Sequence, residues 1–160
     1  MSVLVVYYSF EGNTKYAAER IAEKLGADLL QLKAENEPPR NILKFLVGGK
    51  SVLFGEKALL NRFSEDPAAY DAIVIGSPVW AGKVTPAIRE FVLTHPFEGK
   101  KVGIFASSAS GEAESMLSHL RTLLGGNEVV ASVSLRNPLK NSEQTDAQID
   151  GFCKELQSAL

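Results

Sequence analysis

Val3-Leu4-Val5-Val6-Tyr7-Tyr8 is a continuous run of aliphatic and aromatic side chains, three of them β-branched. A strand with one wet face would alternate apolar and polar residues, so an unbroken run suits a strand covered on both faces. Ser9-Phe10-Glu11-Gly12-Asn13-Thr14 follows, a mostly small and polar turn around a glycine. Beyond it Ala17, Ala18, Ile21, Ala22 and Leu25 fall at helical spacing, and Gly26 suits the stop. The chain therefore opens with a buried strand, a polar turn and a helix.

The same alternation continues outward. Ala72 to Ile75, Val102 to Ala106 and Val129 to Leu135 are further strand candidates, and Ala27 to Leu32 is a weaker one, making five in all. Thr85-Pro86 reads as a helix cap and first turn, with Ile88, Phe91 and Val92 on the buried face. Leu117, Leu120, Leu123 and Leu124 form another stripe, stopped by Gly125-Gly126. Ile149, Phe152, Cys153, Leu156 and Leu160 form the last, with Asn141 or Ser142 as cap. Strand alternating with helix predicts a single α/β domain over residues 1–160, a three-layer doubly wound sandwich around a parallel sheet. Lys33 to Asp71 is broken by Pro38-Pro39 and Gly48-Gly49. One crossover helix is expected there, the rest being an extended loop, with the apolar patch Ile42 to Phe54 either packed as part of that helix or serving as a lid or subunit contact.

Composition narrows the function. At 160 residues the chain is long enough to bury a core without disulfides or metals. Its net charge of −2 argues against a nucleic-acid partner, which calls for a basic excess. One cysteine, Cys153, excludes an internal disulfide and any site needing several thiolates, and fits a reducing cytoplasm. No apolar run is long enough to cross a bilayer, and the N-terminus lacks the basic lead of a signal peptide. A soluble cytoplasmic protein without a membrane partner is expected.

Doubly wound sheets bind ligands at the C-terminal ends of their strands, so the turns there matter most. In the first turn the hydroxyls of Ser9 and Thr14, the Asn13 amide, backbone N–H groups and a helix N-terminus can surround a phosphate. After the third strand comes Ser77-Pro78-Val79-Trp80-Ala81-Gly82-Lys83, which holds the only tryptophan. After the fourth comes Ser107-Ser108-Ala109-Ser110-Gly111, small and rich in donors. A phosphate cradle, an aromatic plate and a bed of amides are more specific together than any one alone.

These three turns, in this order and after these strands, resemble the flavodoxin family over nearly the whole chain. The resemblance implies a five-stranded parallel sheet in the order 2-1-3-4-5 and bound FMN. It implies a phosphate loop of Ser9, Phe10, Glu11, Gly12, Asn13 and Thr14. Pro78, Val79, Trp80, Ala81 and Gly82 would line the isoalloxazine, with Trp80 stacking on it; Lys83, directly after Gly82, either reaches the edge of that ring or points away into solvent. Ser107, Ser108, Ala109 and Gly111 would contact the pyrimidine edge. Glu11 departs from the hydroxyl residue often found there, the third loop lacks a second aromatic, and −2 is a mild charge for a carrier. The resemblance implies electron transfer through non-covalent FMN, with a redox protein or a small molecule as donor and acceptor, in a monomer or homodimer. A small NAD(P)H- or quinone-linked FMN reductase is the alternative, and a non-redox module binding a phosphorylated ligand or a partner is a further one.

Rival motifs are weaker. Gly49-Lys50-Ser51 resembles the tail of a nucleotide-binding loop, but the first glycine of that pattern would fall at Lys44. A receiver domain needs an aspartate where Ser77 stands. Cys153 lies on a helix stripe, as a structural cysteine does, and no catalytic residue is assigned. His95 and His119 have no carboxylate or cysteine cluster at ligand spacing, so no metal is expected.

Overall fold

The first strand, β1 (Val3–Tyr7), pairs in parallel with a strand on each side. Val5 faces Leu29 of β2 (Asp28–Gln31) and Val74 of β3 (Ala72–Pro78). With β4 (Lys101–Ser108) and β5 (Glu128–Arg136) the computed structural model gives a five-stranded parallel sheet in the order β2-β1-β3-β4-β5. It describes residues 1–37 and 57–160. Four helices lie among them: α1 (Asn13–Leu25), α2 (Pro86–Thr94), α3 (Glu114–Leu123) and α4 (Ser142–Ala159).

The apolar run of β1 is divided between two cores. Val3, Val5 and Tyr7 pack with Ala17, Ala18 and Ile21 of α1 and with Ile149, Phe152 and Leu156 of α4. Leu4 and Val6 pack with Ile88 and Phe91 of α2 and with Met116, Leu117 and Leu120 of α3. Each large aliphatic side chain buried this way contributes about 1.5–3 kcal/mol relative to exposure. This two-sided cover is why the run is unbroken. Across the α1–α4 seam Arg20 bonds Asp146 at 3.2 Å, Lys24 pairs with Asp150, and the Tyr16 hydroxyl donates to Asp146 at 3.0 Å. These groups are partly solvated, so they add register more than stability.

Two glycines let aromatic rings lie flat on the sheet. A Cβ at Gly76 would come within 2.0 Å of the Phe105 ring, its cross-strand partner, and one at Gly103 within 2.8 Å of Phe152.

The strands β3 and β4 run past their apolar segments, because Gly76, Ser77 and Pro78 still pair with Phe105, Ala106 and Ser107. The expected caps are only half right. Thr85 and Asn141 hold the cap positions of α2 and α4, but neither side chain caps its helix. Ser77 Oγ instead accepts the Thr85 N–H at 3.2 Å, and Asn141 Nδ2 donates to the Arg136 carbonyl at 2.9 Å.

The expected crossover helix, the apolar patch Ile42 to Phe54 and Gly49-Lys50-Ser51 lie outside the described residues. The flanks of that segment are joined. Ala34 and Leu60 form an antiparallel bridge, with Glu35 N–H on the Leu59 carbonyl at 2.9 Å and Asn61 N–H on the Lys33 carbonyl at 2.8 Å.

Replacing Gly76 by Ala forces Phe105 out of its place, and overpacking of this kind costs about 1–3 kcal/mol. A matching loss in urea unfolding is expected, partly restored by Phe105→Leu in the double variant. Equal stability of Gly76→Ala and the wild type would refute the contact. Burial pushes the Cys153 thiol up to about 11. At pH 8 it is expected to stay unreactive toward a disulfide reagent until the chain is unfolded, and rapid labelling of the native protein would contradict this.

Candidate cofactor site

The first loop delivers an uncapped helix end. Gly12 is the N-cap of α1, in the left-handed region at φ 100°, and it has no side chain with which to cap. Its own N–H is held by Ser9 Oγ at 3.2 Å. Among the described residues the N–H groups of Asn13, Thr14 and Lys15 are left without acceptors. A helix start of this kind carries partial positive charge and suits an anion. Thr14 is buried, and its hydroxyl lies 2.8 Å from that of Ser107. The Glu11 side chain is exposed. Asn13 does a second job, since its Oδ1 accepts the Leu139 N–H at 3.1 Å and so anchors the turn after β5.

The second loop is a tight reversal. Trp80 and Lys83 exchange backbone hydrogen bonds of 3.1 and 3.0 Å across Ala81 (φ 50°) and Gly82 (φ 71°). Two successive positive φ values define a type I′ turn, which costs an alanine about 1 kcal/mol. The reversal holds the half-buried Trp80 ring edge-on to Tyr8 at 5.8 Å and to Phe10 at 5.7 Å.

The third loop has its carbonyls taken up by neighbouring donors. Ser107 O accepts from Val79 N–H at 3.1 Å, Ser108 O from Asn137 N–H at 2.9 Å, and Ala109 O from Asn137 Nδ2 at 3.1 Å. Ser108 Oγ takes the Gly111 N–H at 2.9 Å. The N–H groups of Ala109 and Ser110 have no acceptor among the described residues. Asn137 has φ 41°, and it and Ala81 are the two non-glycine residues with positive φ among the described residues. Both stand at this end of the sheet, where strain commonly collects around function.

The three loops enclose one cleft. It is lined by Phe10, Glu11, Asn13 and Thr14, by Pro78, Val79 and Trp80, and by Ser107, Ser108 and Ala109, with Asn137 closing it. Asn137 was not expected. The dipeptide Asn137-Pro138 marks a turn in the sequence, but nothing there tells which loop its side chain braces. Six expected residues do not line the cleft. Ser9 and Gly12 shape the first loop from behind, Ala81 and Gly82 make the reversal, and Gly111 sits under the Arg136 stem, 3.2 Å from where its Cβ would be. Lys83 is exposed and its charge acts on His119. Burial, then Lys83 and Arg89, hold His119 below the usual imidazole range. His95 is stacked on Phe91 at 5.5 Å, and no cluster fit for a metal occurs among the described residues.

A cradle at a helix start, an aromatic wall and a donor loop around one cleft agree with what comparison with known proteins finds. The family model for NADPH-dependent FMN reductase matches residues 1–137. The chain belongs to the NADPH-dependent FMN reductase family. Its described cleft lies wholly within the matched region. An NAD(P)H dehydrogenase (quinone) from Solidesulfovibrio magneticus is 26% identical over 146 residues, covering 83% of this chain and 72% of that one. Another of the same name from Archaeoglobus fulgidus is 24% identical, covering 82% and 75%. The fold is shared with a flavoprotein from Lactobacillus acidophilus solved in complex with FMN, at TM-score 0.72 and 23% identity over 89% of this chain and 97% of that one. Oxidised flavodoxin 2 from Bacillus cereus superposes over the full length of both chains at TM-score 0.68 and 18% identity. The flavodoxin-like architecture and the FMN chemistry implied by the resemblance are those of this reductase family.

Replacing Asn13 by Ala removes the acceptor for the Leu139 amide. Hydrogen exchange at Leu139 is expected to quicken about tenfold, the equivalent of one ordinary hydrogen bond, while Val5 in the sheet keeps its protection. Unaltered exchange at Leu139 would show that the turn holds without Asn13.

Proposed function

We propose that this protein, as one domain over residues 1–160, is a cytoplasmic FMN-dependent reductase that draws on NADPH or NADH and delivers electrons to a small quinone-like acceptor. The observation that carries this reading is the donor set of the cleft. Unpartnered N–H groups and a hydroxyl stand at one end, an aromatic wall along the middle and unpartnered amides at the other end. That order matches a phosphate, an apolar ring system and polar ring edges, so the residues present fit FMN.

When bound, FMN supplies hydride acceptance from a reduced nicotinamide and onward electron transfer. The chain's part is to bind, orient and exclude water. The N–H groups of Asn13, Thr14 and Lys15 and the Thr14 hydroxyl hold the phosphate, with the helix dipole in place of a cationic side chain. Glu11 lines the cleft and is exposed, and in this reading it is the backbone of its loop that serves the anion. Trp80, braced by Tyr8 and Phe10, covers one ring face. The N–H groups of Ala109 and Ser110 face the carbonyl edge. No aromatic residue occurs between Ser107 and Gly111, which leaves the opposite face for a nicotinamide. The partners in this reading are small molecules. No described helix is long and apolar enough to cross a membrane.

FMN titration is expected to quench the single Trp80 strongly, and Thr14→Val to weaken binding by about tenfold to a hundredfold, the range for a lost hydrogen bond to a charged group. The loaded protein should then oxidise NADPH with a small quinone as acceptor. Failure to take up FMN would refute the reading, and uptake without nucleotide oxidation would leave only a carrier.

A further inference from the structure

Asn137 takes the carbonyls of two consecutive peptide units in the third loop. Its N–H donates to Ser108 O at 2.9 Å and its Nδ2 to Ala109 O at 3.1 Å. No described peptide bond is cis. In a trans unit the C=O and the N–H point in opposite directions. Holding Ser108 O therefore aims the Ala109 N–H away from Asn137, and holding Ala109 O does the same for the Ser110 N–H. These are the two amides of the loop that have no acceptor among the described residues.

The turn that carries Asn137 is itself held. Its backbone takes φ 41°, a region that the short polar side chain of asparagine tolerates. Its carbonyl accepts the N–H groups of Lys140 at 2.9 Å and Asn141 at 3.0 Å. Two residues on, the Leu139 N–H is fixed to Asn13 Oδ1 at 3.1 Å. One short turn thus meets the first loop at Asn13 and the third at Ser108 and Ala109. A glycine at 137 would satisfy φ and keep the backbone bond to Ser108 O. It would supply no donor to Ala109 O, so that bond alone belongs to the side chain.

We infer that Asn137 is a positioning residue that sets the reduction potential of the bound flavin, by holding the third loop with amides rather than carbonyls toward the carbonyl edge of the ring. This rests on the proposed seating of FMN in the cleft. Uptake of a hydride, two electrons with one proton, adds one negative charge to the flavin, and its carbonyl edge shares that charge. Fixed donors aimed there bond the charged form more strongly than the neutral one. A carbonyl turned to the same edge would oppose the charge. No lysine, arginine or histidine lines the cleft, so the amides carry this preference without a cation.

Potentiometric titration of the FMN-loaded protein tests this. In Asn137→Gly the Ala109 peptide is released. The preference for reduced over oxidised FMN is expected to fall about tenfold, which lowers the two-electron midpoint potential by about 30 mV. A residue that only shaped the cleft would weaken both redox states alike and leave the potential in place. The amides give a second readout that needs no reduction. In the wild type, FMN binding is expected to move the NMR signals of the Ala109 and Ser110 amides downfield. In Asn137→Gly the Ala109 signal, whose peptide the backbone N–H at 137 still holds, is expected to move as before and the Ser110 signal to move less. The wild-type signals decide the matter even where Asn137→Gly does not fold. An unchanged potential in a variant that binds FMN, or wild-type amides indifferent to FMN, would overturn the assignment and leave the reductase reading standing. No FMN uptake by the wild type would overturn both.

Discussion

The buried contact between the Thr14 and Ser107 hydroxyls, 2.8 Å apart, joins the helix start after β1 to the strand end of β4. Those two elements are not neighbours in the sheet, since β3 lies between them. Each hydroxyl is shut away from water, so leaving one without its partner would cost about 1–3 kcal/mol. The first and third loops are thereby held at one separation. That separation determines how far the uncapped N–H groups of α1 stand from the open amides of Ala109 and Ser110. Val79 completes the frame by donating its N–H to Ser107 O, which fixes the Trp80 loop to the same strand end.

The sheet was legible because both of its faces are covered. Val3 to Tyr8, Ala72 to Ile75 and Val102 to Ala106 are unbroken apolar runs, and strands of this kind have almost no other use. Their polar ends were not legible. Ser77 and Ser107 look like loop residues, yet each is buried at the end of a strand because its neighbour strand keeps pairing. The caps failed for a related reason. Thr85 and Asn141 stand where capping residues stand, but the Thr85 hydroxyl lies 3.4 Å from Ser77 Oγ and the Asn141 side chain donates to the Arg136 carbonyl. Propensity speaks for nearest neighbours, and these partners come from elsewhere.

At the cleft, ten of the residues that the three turns offered come together, and Asn137 joins them. Trp80, Thr14 and Ser108 lie where the three turns suggested. Asn13 was expected to serve a ligand, and it also anchors the turn at Leu139 through Oδ1. Asn137 entered unannounced, because its importance comes from two bonds to a loop about thirty residues earlier, at Ser108 and Ala109. Lys83 directly follows Gly82, and adjacency suggested the flavin edge. Lys83 is exposed at the end of the type I′ reversal and does not line the cleft.

The bridge between Ala34 and Leu60 has a consequence for how this domain can be altered. It pins both flanks of one long connection to each other, with Asn36 adding two side-chain bonds, to Lys57 O at 2.9 Å and from Leu59 N–H at 2.8 Å. The anchors Ala34 and Leu60 set the gap that this connection has to close. Closing a loop costs free energy only as the logarithm of its length, about 0.6 kcal/mol per doubling. A change in the length of this connection is therefore expected to cost little in closure entropy so long as the Ala34–Leu60 bridge is kept.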